Sequence, residues 1–248
     1  MSAIMDSFRV AWIDMCFLRR NIVSVLVTCL VSPLLYLLAF GYGLGRGMTV
    51  EGFEYISFMI PGVIALSTLT SCFSTVASKV MVQRVYYQSF DELFLCSMKP
   101  MAIIMGKTYA GIVRGLLSAF VLYALGMLLS NDMHISLMAA FVIVLSSVVY
   151  SLMGVFCGLL SNSNLTMNMI TSLLIVPMTF LCGTLFSLDA LPQAVQAVIE
   201  VLPLTHTTAC MRAAALGTPF PWLSLLVILI YGVIFAAVCR HLIIKGRV

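Results

Sequence analysis

The residues able to do chemistry are few and scattered. His134, His206 and His241 are the only histidines, and none stands within four residues of another, so no metal site is expected. Eight cysteines form no CxxC pair. Cys29, Cys72, Cys157 and Cys239 sit inside apolar runs, where a thiol behaves as a small hydrophobe. Cys182 and Cys210 flank one connection and are the pair for which a disulfide is conceivable. Asp189, Glu200 and His206 share that connection, where ligand binding or a local network competes with plain solvation. The run Gly41-Tyr42-Gly43-Leu44-Gly45-Arg46-Gly47 alternates glycine without the GxGxxG spacing and follows an apolar stretch, not a strand. It reads as a flexible helix exit and not as a nucleotide fingerprint. No GxxxxGK[ST] occurs, nor HExxH, nor a pair of carboxylates inside an apolar run. The chain therefore makes and breaks no bond on its own.

The elements that carry these residues follow from composition. Of 248 residues, 62% are hydrophobic and 9% charged. A soluble domain has about 25% charged residues, and its outside must still be covered with polar groups. An apolar fraction this high suits a surface that faces lipid. The net charge of +4 is small and dispersed, which argues against a nucleic-acid partner. Nothing divides the chain, so residues 1–248 read as one domain.

Six apolar stretches are long enough to cross the hydrocarbon as helices: 22–44, 55–78, 101–129, 136–160, 165–186 and 222–244. Short alternating segments of a β-barrel are absent. The expected fold is an all-α integral membrane protein. Residues 3–20 place Ile4, Phe8, Ala11, Trp12 and Met15 at three- and four-residue spacing, with Asp6, Arg9, Asp14 and Arg19 on other faces, which predicts an interfacial amphipathic helix. No cleavable signal is expected, because the apolar run after Arg19 and Arg20 is too long for a signal core. Pro33 should kink or open the first span. Residues 187–220 hold four prolines, with a short non-crossing helix expected between Pro192 and Pro203.

Charge placement orients the spans. Arg9, Arg19, Arg20, Lys79, Arg84, Lys99, Lys107, Arg240, Lys245 and Arg247 fall on the side of the N-terminus, and Arg46 and Arg212 on the other. The positive-inside rule then places both termini in the cytoplasm. Arg114 stands within the third span, where snorkelling to the interface and facing a polar path are both open to it. Pro33, Tyr36, Tyr42, Phe58, Phe73 and Phe180 are candidates to line such a path, or equally core or lipid-facing residues.

Two segments carry a family likeness. The outer one runs Pro177, Phe180, Gly183, Phe186, then Leu191-Pro192, then Pro203-Leu204-Thr205-His206 and Arg212. The cytoplasmic one, 84–99, runs from Gln83-Arg84 through Phe90-Asp91-Glu92-Leu93-Phe94 to Lys99-Pro100. On these residues the chain resembles the permeases of ABC-2 type exporters over nearly its full length. It is most similar to the nodulation-type subfamily, whose founding members export lipo-chitin oligosaccharides. The resemblance implies an N-terminal interfacial helix, six spans, a cytoplasmic coupling helix and short re-entrant outer helices. It also implies a dimer of permeases in the bacterial inner membrane, in contact with lipid. Two separate cytoplasmic ABC ATPase subunits would bind the ATP and Mg, and this chain would hold no cofactor. Arg84, Phe90, Asp91, Glu92, Leu93, Phe94 and Lys99 would contact the ATPase. The implied cargo is an amphipathic, lipid-linked or glycan-containing substrate. Hydrophobic drugs, polysaccharide, and a non-transporting six-span scaffold are the alternatives. Secondary carriers usually need charges at mid-membrane for ion coupling, and these are scarce here.

Overall fold

The computed structural model describes residues 3–45, 49–50, 52–87, 99–130, 133–134, 136–184 and 192–245. Nine α-helices stand among them. They are α1 (Ala3–Arg20), α2 (Ile22–Tyr36), α3 (Tyr55–Val85), α4 (Pro100–Leu129), α5 (Leu137–Leu160), α6 (Asn164–Leu181), α7 (Gln193–Glu200), α8 (Pro203–Leu216) and α9 (Trp222–Ile244). Helices α2, α3, α4, α5, α6 and α9 are each long and apolar enough to cross a membrane. A two-stranded hairpin, β1 (Thr49–Val50) with β2 (Phe53–Glu54), links α2 to α3 in the register Thr49 to Glu54 and Val50 to Phe53. Gly52 makes its turn at φ +85°.

Helix α3 is the axis of the molecule. It packs against α5 and α4 most extensively, and then against α8. Its approach to its neighbours is set by glycines four apart. A Cβ on Gly154 or Gly158 of α5 would fall within 3 Å of the Phe73 and Ala77 carbonyl oxygens of α3. A Cβ on Gly115 of α4 would strike Cys72, and one on Gly111 would strike Val76 and Ser151. Lipid tails are as apolar as leucine, so spans associate through close packing rather than by hiding apolar surface from water. These two small-residue seams supply that packing.

The helix ends differ from the sequence reading in physically clear ways. α3 has 31 residues and continues past Ser78 to Val85. The charges at Lys79 and Arg84 do not stop it, because both find partners on neighbouring elements. The fifth span, expected to reach residue 186, ends as a helix at Leu181. The first span stays α-helical through Pro33, with Val25, Cys29 and Pro33 buried on one face. It widens only afterwards, into a π-helical segment, Leu37–Leu44, closed by the Gly45 N–H on the Phe40 carbonyl at 2.8 Å. Ser136 and Ser163 cap α5 and α6, accepting from the Met138 and Thr166 amides at 3.2 Å.

In α1 the sequence reading placed Asp14 on the polar side. In the structure Val10, Ala11, Asp14 and Leu18 are buried, on the side that meets α4, where Val10 abuts Gly106. Phe8 and Trp12 face outward, 5.9 Å apart between rings. The helix is apolar on two sides, one turned to protein and one away from it.

Candidate functional site

Helices α2, α3, α4 and α6 enclose a groove of about 420 Å³. α2 contributes Thr28, Cys29, Ser32, Pro33 and Tyr36, and α3 contributes Val63, Leu66, Ser67, Thr70, Ser71 and Ser74. α4 supplies Arg114, and α6 closes one wall with Ile175, Val176, Thr179 and Phe180. Residues three and four apart share a helical face, so the α3 series 63, 67, 70, 74 forms one stripe. Hydroxyls are tolerated there because they donate back to the preceding turn: Thr28 to the Ser24 carbonyl at 2.9 Å, Thr70 to Ser67 at 3.1 Å, Thr179 to Ile175 at 2.8 Å. Each such oxygen keeps acceptor lone pairs for something else. Ser67 and Ser118 meet at 2.6 Å and tie α3 to α4.

Arg114 stands at the midpoint of the 30-residue α4. Its Nε donates to Cys29 Sγ at 3.4 Å and its Nη2 to Thr28 Oγ1 at 3.5 Å. The contact to oxygen is long and both acceptors are neutral, and among the described residues no carboxylate pairs with it. A guanidinium at a helix centre costs ~3 kcal/mol on insertion scales. The side chain points into the groove.

The path candidates divide. Pro33, Tyr36 and Phe180 line the groove. Phe58 and Phe73 do not: both are wholly buried among the α3 core residues. The side chain of Tyr42, in the π segment, lies outside the described residues. The hydroxyls were not among the path candidates, although serines and threonines at helical spacing in an otherwise apolar run were visible in the sequence.

The segment from Gly183 to α8 forms a different arrangement, a knot of backbone carbonyls around one cation. Arg212 on α8 donates through Nη2 to the Gly183 carbonyl at 2.8 Å and through Nε to the Phe58 carbonyl at 3.4 Å. Its guanidinium also lies 3.5 Å from the centre of the Phe58 ring. Gly183 can present its carbonyl this way because its φ is +67°, a conformation that favours glycine. Thr205 donates to the Ile199 carbonyl at 2.7 Å, and the His206 ring meets the Glu200 carbonyl at 2.8 Å, folding α7 onto α8. Pro203 opens α8, where no intrahelical N–H is needed. Pro177 sits within α6 and Pro192 just before α7, while Phe186 lies outside the described residues. The stretch read as a connection thus holds a 14-residue helix, α8, most of it buried in the bundle. Cys182 and Cys210 are both free and buried. Burial pushes their thiols up, to about 11 and about 12.

At the C-terminal end of α3, Arg84 is already engaged. It donates to the Leu159 carbonyl and, at 3.1 Å, to Asn162 Oδ1, and Asn164 donates to the Tyr86 hydroxyl at 3.0 Å. Arg84 therefore clamps the end of α3 to the turn between α5 and α6. Lys99 is exposed at the start of α4. Phe90, Asp91, Glu92, Leu93 and Phe94 lie outside the described residues. One turn and more up α3, Lys79 bridges to the buried Asp14 of α1 at 3.2 Å. Lys107 of α4, also buried, interacts electrostatically with both. This cluster joins α1 to two groove-forming helices.

On the other side of α4 lies a second groove, of about 720 Å³, between α4 and α5. Val113, Leu116, Leu117, Phe120, Met127, Ile143 and Val144 line it, and its polar groups are confined to Ser136 and Tyr123. The Tyr123 hydroxyl is spent on the His134 carbonyl at 2.6 Å.

The described residues thus hold six helices long and apolar enough to cross a membrane, with a hydroxylated groove among four of them. The sequence profile described as ABC-2 type transporter matches residues 8–216. The chain belongs to the ABC-2 type transporter family. It is a membrane permease subunit, and the ATP-hydrolysing role in such transporters falls to ABC ATPase partners. Among the described residues no group of three or more His, Cys, Asp or Glu is placed to hold a metal ion. The inner membrane transport permease YadH of Escherichia coli (strain K12) is 27% identical over 229 residues, covering 91% of this chain and 89% of that protein. Nodulation protein J of Rhizobium meliloti (strain 1021) is 29% identical over 195 residues, covering 77% of this chain and 73% of its own length. These two ABC-2 relatives are nearly equally similar, so the likeness extends to the family and does not single out the nodulation-type subfamily.

Proposed function

We propose that two copies of this ABC-2 permease form the path of an ATP-driven exporter in the bacterial inner membrane, with both termini in the cytoplasm. The cargo is an amphipathic molecule, lipid-linked or glycan-containing. Two separate ABC ATPase subunits hold the ATP and Mg and drive the cycle. The observation that carries this reading is the groove between α2, α3, α4 and α6. Hydroxyls and Arg114 can take a polar head that hydrocarbon rejects, while Val176 and Phe180, exposed at its edge, can pass an apolar tail. A scaffold protein needs no such groove.

A second copy is supported by α6. Asn168 and Ser172 stand exposed on it, one turn apart, within a span. Amides gain from a protein partner in the membrane and nothing from lipid tails. Pairing along α6 would cover them and set two grooves side by side. The Asp14–Lys79 bridge supports a transmission route, since it couples α1 to the helix that carries the hydroxyl stripe. A partner that moves α1 and the 84–99 segment on binding ATP would bias the groove between two states. α7 and α8, folded together, would be the re-entrant outer closure.

Within this reading residues 84–99 dock on the ATPase, with Phe90, Leu93 and Phe94 as apolar anchors and Asp91 and Glu92 fixing register. Phe94→Ala should weaken association by about 1–3 kcal/mol, and Asp91→Lys should weaken it as well, with the permease still inserted. Co-purification of the ATPase at equal permease expression measures both. Full assembly and full substrate-stimulated hydrolysis in both variants would remove this segment from the coupling role. Orientation is checked by single cysteines in a cysteine-free background. Gly47→Cys and Gln196→Cys should react with an impermeant thiol reagent from outside, and Gln88→Cys should not.

A further inference from the structure

We propose that Arg114 is an anion-binding residue, and that the groove selects amphiphiles carrying a phosphate or similar oxyanion head. The inference deepens the reading of the groove as a path and rests on it only for the identity of the cargo, not for the binding itself.

Four observations lead there. Arg114 sits at the midpoint of a membrane-spanning helix. It lines the groove instead of reaching either end of α4. Its two hydrogen bonds go to a thiol and a hydroxyl that bring no negative charge, and the one to the hydroxyl is long at 3.5 Å. By contrast the cation of Lys79 has a carboxylate at 3.2 Å, and Arg212 is held by two carbonyls and a ring. Arg114 is thus a guanidinium with most of its five donors available and no charge opposite, in a place where an unbalanced charge is costly. Around it the Ser32, Ser71 and Ser74 hydroxyls can donate or accept, while Thr28 has given its proton to its own helix. Guanidinium forks match phosphate and carboxylate oxygens two at a time, and such charge-assisted bonds are about twice as strong as neutral ones. A neutral sugar alone would leave the cation uncompensated. An oxyanion head neutralises it, and the apolar residues Ile175, Val176 and Phe180 beside it accept the chain that follows.

The head has two possible sources, a resident anionic phospholipid or the transported amphiphile, and two arms separate them. In the first, the purified chain is examined by native mass spectrometry after extraction from phosphatidylcholine membranes containing added phosphatidylglycerol. The wild type should retain phosphatidylglycerol in preference to phosphatidylcholine. Arg114→Gln should lose about tenfold of that preference, the scale of one charge-assisted contact, and Arg114→Lys should keep part of it. In the second, the complex with its ATPase is reconstituted in phosphatidylcholine nanodiscs and given dodecyl phosphate or neutral dodecyl maltoside. Selective stimulation by dodecyl phosphate that Arg114→Gln abolishes assigns the site to cargo. Lipid retention without such stimulation assigns it to a resident phospholipid, in which case the anion site stands and the groove as cargo path falls. If Arg114→Gln matches the wild type in both arms while Lys79→Gln or Arg212→Gln does not, the anion lies elsewhere and the proposal is overturned. Thermal unfolding of Arg114→Gln, expected within a few degrees of wild type, separates lost binding from lost folding.

Discussion

The two grooves beside α4 share a helix and differ in what they ask of a ligand. Val113 and Leu117 face one, and Arg114, the next residue after Val113, faces the other. The larger groove offers hydrocarbon to hydrocarbon, and gains little by excluding lipid tails. The smaller one offers hydroxyls and a cation, which lipid tails cannot satisfy. Size therefore points away from function here. In a membrane the informative cavity is the one whose lining is expensive to maintain. The apolar groove is where the bundle meets its solvent.

The largest expected effect comes from filling the two grooves with the same side chain. Ser32→Trp, from an exposed position on α2, should lower transport-coupled ATP hydrolysis tenfold or more, with assembly intact by size-exclusion chromatography. Ala140→Trp in the apolar groove should leave it within about twofold. Equal losses from both would erase the distinction. Next in size is the wall between them. Gly115→Ala places a methyl group against Cys72 and Ser147, and should cost about 1–3 kcal/mol through overpacking, read as a lower melting temperature in detergent. Gly154→Ala, against the Phe73 carbonyl, should cost a similar amount. The smallest effect is expected at Phe120, 74% exposed on the apolar groove. Phe120→Ala should change stability by no more than ~0.5 kcal/mol. A loss several times larger would mean that protein, not lipid, covers that face.

Chemical labelling sharpens the contrast between lipid-facing and closed regions. Free Cys182 and Cys210 are buried and their thiols are pushed up to about 11 and about 12. The thiolate is the reacting form, so both should label far more slowly at neutral pH than the exposed Cys16 of α1. Since burial disfavours the charged form, raising the pH toward 9 should leave Cys182 and Cys210 slow. Quantifying maleimide modification by peptide mass spectrometry tests this order.

Span count and type were legible because hydropathy is additive along the chain and needs no knowledge of neighbours. The short helix between Pro192 and Pro203 was legible for a similar reason, since proline restrictions are local. Which face of a span points inward was not legible. In water a polar stripe marks the outside, but lipid and protein core are equally apolar, so an aromatic on a span gives no direction. Phe58 and Phe180 illustrate this: both looked like path residues, yet one lies under Arg212 in the core and the other edges the groove. Mean hydropathy held a partial signal. It is 1.7 for the buried α3 and 2.6 for the lipid-exposed α9. It is 1.4 for α6, exposed in this chain but polar enough to expect a partner.

The sequence by itself determined the solvent, the number of crossings, and the absence of a nucleotide motif, because each is a sum or a pattern over neighbours in the chain. The tertiary structure decided the rest. It moved Asp14 from a solvated face to a buried bridge with Lys79, 65 residues away. It gave Arg84 to the α5–α6 turn, and it built α8, a stretch in which only the resemblance implied a short helix, into the bundle. It turned Arg114 toward Thr28 and Cys29. All four are pairings between distant segments, and they depend on how closely the glycine seams let α4 and α5 approach α3, a distance that no local reading of side-chain types contains.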